Sequence, residues 1–551
     1  MSNPPGSVPV DRFTGFVHVA DGELRDAAGN VAHLRGVGLG NWCLPEGYMW
    51  KFEPGGPLAP RQIEAFVRDL VGDERGQEFW RQFRERFITE ADIERIAAEG
   101  FDHVRLAMNA RLLMTEAGAL IEDGFALVDR LITWCRAHQL WVVLDLHGAP
   151  GGQTGTNIDD SPHGLPELFI EGGVYTEQTI ALWRAIAARY RDETVVAAYD
   201  LLNEPLPNEY QHLYANELAT LYQQLTTAIR EVDENHVIVY EGTHWSNNWS
   251  IFTAVWDPNT MLQCHKYWNA PDKPSVQGYL DKSAELGLPV YMGETGENNL
   301  DWMTTAFQLY DDVAMSWNLW PWKKIETPTS PCSIDAPDGW AEIVAFARGL
   351  SGDKPAPERA WAVLTDLLER LDISRCTYHR DVVNAVMRRA PLRIPAWGFG
   401  FRGKGVSYET ATATPLAEFR SDDQVSLVCG TPGAPVAASF HHNDGAPRSE
   451  AELIGVRLCA SDWIAYDVEV SSSSHLEIMV DLEVDTDAGA SVGEQPPIAV
   501  LVDGEQVTSP KRRDGGVVAV TASALGAGKH QITVQAQMDS VTLRWLDVVP
   551  V

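Results

Sequence analysis

The feature that most limits what this chain can fold into is a series of short apolar runs, each closing on a polar residue or a turn former. They fall at residues 34–37, 101–108, 141–147, 195–202, 237–242, 261–267, 289–294 and 315–320. Such runs are the signature of strands buried on both faces. Apolar residues at helical spacing fill several of the intervals, at 60–100, 125–138, 176–190 and 214–232, and Gly100 makes a helix stop. Strands alternating with helices over about 340 residues predict an α/β fold, a closed (β/α)8 TIM barrel. The absence of a short internal repeat argues against a solenoid or propeller.

Beyond the eighth run two more helices are expected, at 340–350 and 358–371, joined by the linker Gly352-Asp353-Lys354-Pro355-Ala356-Pro357. From about residue 395 the period changes to two, as in 463–470, 475–480, 498–502, 531–535 and 541–545. That pattern predicts a C-terminal antiparallel β-sandwich of jelly-roll type. The expected division is a barrel with extra helices at 12–390 and a sandwich at 391–551.

In a closed parallel barrel all strand ends converge on one mouth. Here they carry Arg105, His147, Asn203, Glu204, His265, Tyr267, Glu294 and Trp320. Pro205 stops its strand, which sets Glu204 at a rim. Two glutamates at strand ends suggest the paired carboxylates of a glycosidase. Blander readings exist for each residue: a solvated Glu in an Asn-Glu-Pro turn, a buried ion pair for Arg105, satisfied core histidines for His147 and His265. A zinc site from His147, Cys264 and His265 lacks ligand spacing, so no metal or cofactor is expected.

Composition narrows the function classes. There are 77 acidic and 43 basic residues, a net charge of −34. Nucleic acid and anionic membrane surfaces are poor partners for such a field. The 19 tryptophans suit both a core and a cleft that stacks sugar rings. The seven cysteines show no paired spacing and read as reduced thiols. The first residues carry no basic and apolar leader pattern, and no apolar run is long enough to span a bilayer. A cytoplasmic protein is the expectation.

Taken together, Leu34-Arg35-Gly36-Val37 with Trp42, Val104-Arg105, the run Asp145 to Gly151, Asn203-Glu204-Pro205, His265-x-Tyr267, Gly293-Glu294 and Trp320-x-Trp322-Lys323 resemble glycoside hydrolase family 5 over roughly residues 15–345. The resemblance implies a retaining glycosidase with Glu204 as acid/base and Glu294 as nucleophile. Arg105 and Tyr267 should keep Glu294 ionised, while partial burial and the charge of Glu294 hold a proton on Glu204. Asn203 would meet the sugar 2-hydroxyl, His147 and His265 would position hydroxyls or the glutamates, and Trp320 would floor the subsite. A cis Trp320-Pro321 bond is expected.

Glu46, and less closely Asp159, match residues with which exo-acting relatives hold the terminal sugar. The expected substrate is a β-glucoside, a β-mannoside or a related disaccharide glycoside, cleaved in exo fashion. An endo-glucanase or endo-mannanase of the same fold, or a non-catalytic carbohydrate-binding protein, are the alternatives. The C-terminal region resembles a carbohydrate-binding module, with bracing of the barrel preferred over sugar or calcium binding.

Overall fold

The computed structural model describes residues 12–411, 413–414, 419–429, 439–449, 452–484, 496–507, 511–512 and 517–551. Eight parallel strands close into a barrel in sequence order, the eighth pairing back to the first. They are Arg35–Gly38, His103–Asn109, Trp141–Gly148, Val196–Asp200, Val237–Glu241, Thr260–Lys266, Val290–Gly296 and Ser316–Trp320. All but the two end residues Arg35 and Lys266 are buried, as the apolar runs predict.

Glycine makes room inside the barrel for the large side chains of neighbouring strands. A Cβ on Gly36 would lie 2.1 Å from the His103 ring, and one on Gly293 would lie 2.1 Å from the Gln263 side chain. On Gly38 it would lie 2.3 Å from the Trp320 indole. The close approach, not a special backbone angle, is what requires glycine at these three positions.

Two helices of the barrel, Lys273–Leu286 and Leu300–Asp312, had no clear signal in the sequence. The second is buried from Trp302 to Tyr310 because it is covered on both sides. One side packs on the barrel, where Phe307 meets Trp317 edge-on with ring centroids 4.7 Å apart. The other receives the C-terminal region. Its buried positions include Thr304, Thr305 and Gln308, so burial on both sides leaves no clean apolar stripe to detect. The expected helix after the eighth strand is present as Trp340–Ala347. Its Trp340 packs on Trp50 and Phe52, and barrel closure itself comes from strand pairing.

Among the described residues the C-terminal region forms antiparallel sheets of seven and five strands. Trp463–Val470 and Val541–Pro550 bury alternate residues along much of their length, the period read from sequence. The seven-stranded sheet also takes in Leu392–Pro395, paired with Val541–Pro550. The strands Ile454–Leu458 and Val517–Leu525 went unread. Among the described residues no helix is long and apolar enough to cross a membrane.

Directional polar contacts fix this region on the helix Leu300–Asp312. Buried Arg388 donates from Nη1 to the Thr304 carbonyl at 3.2 Å and from Nε to the Asp467 carbonyl at 3.0 Å. The Phe401 amide donates to Asp312 Oδ2 at 2.7 Å. Replacing Arg388 by Ala is expected to lower stability by about 2–4 kcal/mol, the range for losing charged hydrogen bonds and stranding their acceptors. A urea denaturation midpoint unchanged from wild type would contradict this.

Candidate active site

Arg105, at the third position of the second barrel strand, has no exposed surface. Its Nη1 donates to Glu294 Oε1 at 2.6 Å, its Nε to Asp200 Oδ2 at 2.8 Å and its Nη2 to Asn203 Oδ1 at 2.8 Å. Asp145 Oδ2 and Glu241 Oε1 each lie 3.2 Å from Nη2. Burial alone disfavours the charge on the guanidinium. The carboxylates of Asp145, Asp200, Glu294 and Glu241 reverse that and hold Arg105 firmly charged.

One cation does not balance four buried carboxylates. Burial moves three of them toward the protonated form. Burial pushes Asp145 up to about 7 and Asp200 up to about 6, with Arg105 pulling both back. Glu241 is raised well above the usual carboxylate range by burial and by Asp200.

Glu204 stands beyond the fourth strand, which ends at Asp200. Its backbone is left-handed, with φ of 45°, a conformation that costs a non-glycine residue energy and persists only when surroundings enforce it. Here the enforcing contact is the Glu204 amide, which donates to Glu241 Oε2 at 2.7 Å. The carboxyl of Glu204 is thereby turned toward His265, whose Nδ1 lies 2.6 Å from Oε1. Gln263 Nε2 faces His265 Nε2 at 2.9 Å on the other side of the ring. Burial lowers His265 to about 3, which keeps the ring neutral.

Glu294 lies within the seventh strand. Tyr267 donates its hydroxyl to Glu294 Oε2 at 2.7 Å, and burial keeps that hydroxyl protonated. One carboxylate oxygen of Glu204, one of Glu294 and a ring nitrogen of His265 lie within 4.8 Å of one another. Retaining glycosidases hold their two carboxyl groups about 5–5.5 Å apart, inverting ones about 6.5–9.5 Å. Glu204 is raised to about 7 by burial, with the charge of Glu297 adding to it and His147 and Arg105 opposing.

His147 Nδ1 is 2.7 Å from Asp145 Oδ2, and its Nε2 is 3.2 Å from Asn203 Nδ2. With the proton on Nδ1, the ring accepts one amide hydrogen of Asn203 and leaves the other for a ligand. The ring also lies parallel to Trp320, centroids 5.2 Å apart at 7°. The Trp320-Pro321 bond is cis, as expected. Trp320 Nε1 donates to the Tyr48 hydroxyl at 3.1 Å, and that hydroxyl donates to Glu297 Oε2 at 3.3 Å. Lys324 Nζ pairs with Glu297 Oε1. Glu46, 1% exposed, receives Asn157 Nδ2 at 3.4 Å on Oε2.

Nine of the ten expected residues thus lie in or beside one polar cluster. Asp159 does not face it with a free oxygen: Oδ2 accepts the amides of Thr154 and Gly155, and Oδ1 that of Ser161. Its bonds organise the loop, and this is the outcome of an aspartate read from approximate spacing in a turn-rich segment. Asp145, Asp200, Glu241, Gln263, Glu297, Lys324 and Tyr48 were not foreseen. The signal for the first three was a carboxylate inside an apolar strand run, which is rare without a partner.

A family model described as Cellulase (glycosyl hydrolase family 5) matches residues 71–325. A β-xylosidase of Phanerodontia chrysosporium is 30% identical over 350 residues, 56% of this chain and 71% of that protein. The chain belongs to glycosyl hydrolase family 5. It is a glycoside hydrolase of the retaining, two-glutamate kind. A probable glucan 1,3-β-glucosidase A of Aspergillus clavatus is 28% identical over 287 residues, 49% of this chain and 67% of that protein. Among solved structures, that of an endogalactoceramidase aligns with 95% of this chain and 99% of that chain at 16% identity and a TM-score of 0.44.

In this family-5 enzyme the indole of Trp320 rests where Gly38 and Gly40 have no side chain. Gly38→Ala is expected to displace the ring and lower kcat/KM by about 10²-fold, the loss associated with misplacing a site by about 1 Å. Steady-state kinetics equal to wild type would contradict this.

Proposed function

We propose that the enzyme is an exo-acting β-glycosidase in which Glu294 is the nucleophile and Glu204 the acid/base. A Glu294 oxygen bonds to the anomeric carbon as the glycosidic C–O bond breaks, and the Glu204 proton passes to the departing oxygen. Glu204, now a carboxylate, then takes a proton from water. The water oxygen bonds to the anomeric carbon and Glu294 leaves, which restores both groups and retains configuration. Arg105 and Tyr267 hold the nucleophile by one oxygen each. His265 holds Glu204, and Asn203 offers its remaining amide hydrogen to the 2-hydroxyl.

The raised Glu204 sets the sign of the pH dependence. The acid form is the active one, so kcat/KM on a poor leaving group falls as pH rises through about 7. Glu204→Ala should cost about 10²–10⁴-fold on such a substrate and abolish that alkaline limb. On a 2,4-dinitrophenyl glycoside, whose leaving group needs no proton, the loss in the first step should be far smaller. Equal losses on both substrates would remove Glu204 from the role of acid.

One observation carries the exo reading. Glu46, Tyr48, Glu297 and Lys324 form a buried polar wall beside Trp320, and Glu46 Oε1 is buried with no partner. Burial and the charges of Glu294 and Glu297 raise Glu46 well above the usual carboxylate range. An unpartnered carboxyl in a wall fits the far hydroxyls of a terminal sugar. The names of the β-xylosidase and the glucan 1,3-β-glucosidase support a substrate that is a β-linked xyloside, glucoside or similar glycoside. An endoglucanase C of Acetivibrio thermocellus among the relatives keeps endo action as the second reading. Aryl monosaccharide glycosides should be cleaved, and a β-glucan should release monosaccharide with little early fall in viscosity. Glu46→Ala should lower kcat/KM roughly 10–10²-fold, the worth of a strong hydrogen bond. Rapid viscosity loss, or no effect of Glu46→Ala, would favour endo action.

We place the division between barrel and C-terminal sheets near residue 390 and assign the sheets a bracing role. The seven free thiols support a reducing, intracellular setting.

A further inference from the structure

Trp268 is the most exposed of the described tryptophans, with 46% of its surface open. It follows Tyr267, the residue that holds Glu294, and the two ring centroids are 5.8 Å apart. His265, which holds Glu204, is on the strand that ends at Lys266, just before these two aromatics. The indole thus lies half-open beside the tyrosine that holds Glu294. The terminal sugar, by the reading above, goes inward to Trp320 and Glu46. What remains near the mouth is the leaving group.

The indole is not a loose surface ring. The His441 imidazole, from the C-terminal region, lies parallel to it at 4.5 Å and 14°. The segment bearing His441 is fixed to the barrel on either side. Asn298 Nδ2 donates both to the Tyr267 carbonyl at 2.8 Å and to the Phe440 carbonyl at 2.7 Å. Asn299 Nδ2 donates to the Ala446 carbonyl at 3.2 Å. One asparagine therefore ties the nucleophile's tyrosine to the segment that stacks on Trp268. Two flat rings held in register by such bonds are pre-organised for a third.

We propose that Trp268 and His441 form the subsite for the leaving group, a platform for a ring with an apolar face, so that the C-terminal region completes the active site. The proposal rests on the glycosidase reading of Glu204 and Glu294. Both an aryl group and a pyranose ring offer that chemistry, and the test separates them.

The measurement is kcat/KM for three substrates sharing the preferred sugar: a p-nitrophenyl glycoside, a disaccharide, and the glycosyl fluoride, whose leaving group has no ring. Trp268→Ala should lower the value about tenfold on at least one ring-bearing substrate and leave the fluoride within about twofold of wild type. Trp268→Phe should restore most of the loss, and His441→Ala should show a smaller fall with the same selectivity. A fall on the aryl substrate alone would identify an aromatic aglycone; a fall on the disaccharide alone, a sugar. Equal losses on all three substrates, or none, would overturn the platform while leaving the glycosidase reading intact. Wild-type inactivity on all three would overturn both.

Discussion

The structure depends on one guanidinium. Arg105, without exposed surface, touches or bonds Asp145, Asp200, Glu241 and Glu294 inside the barrel. Taking a carboxylate out of water costs several kcal/mol even after relaxation, and one cation does not repay four such charges. Burial accordingly raises Asp145, Asp200 and Glu241 toward their neutral forms. Glu294 takes the shortest contact to the shared cation and adds the Tyr267 hydroxyl. Glu204 lacks any direct bond to Arg105 and is raised by its burial. Of these two glutamates only Glu294 reaches the arginine directly.

The same cluster also carries strain. The left-handed turn at Glu204 is fixed by Glu241, which in turn is bonded by Arg105 and Gln263. Glu297, at φ of 43°, is likewise left-handed and is held by Lys324 and Tyr48. Both residues project into the site from conformations an isolated peptide avoids. The buried network therefore does more than tune charge: it holds the backbone in the shape that aims the carboxyls. Glycines at 36, 38 and 293 permit the packing that brings this network together.

Much of the fold was legible because buried parallel strands leave a strong mark. All eight runs became barrel strands, and both glutamates were marked by position alone. The acidic support beneath them was harder to read. Asp145, Asp200 and Glu241 each occupy one position in an apolar run, and only closure of the barrel shows that they share a partner. Asp159 matches only approximately an aspartate of exo-acting relatives, and the turns of its loop consume its oxygens. Lys323 and Lys324 are adjacent and look alike in sequence. The first is buried against Asp92 and the carbonyls of Phe87 and Leu371, and the second faces Glu297. Pairing of Trp268 with His441 joins parts of the chain far apart in sequence, and no local pattern reports it.

The central claim is that the carboxylate of Glu294 becomes covalently bonded to the sugar. A 2-deoxy-2-fluoro-β-glycosyl fluoride tests it directly. Its fluoride leaves without acid help, and the fluorine at C2 slows hydrolysis, so a covalent intermediate accumulates. Mass spectrometry of the inactivated enzyme should show one added fluorosugar, and peptide fragmentation should place it on Glu294. A label on any other residue, or turnover of the reagent with no adduct and inversion at the anomeric carbon, would contradict the account.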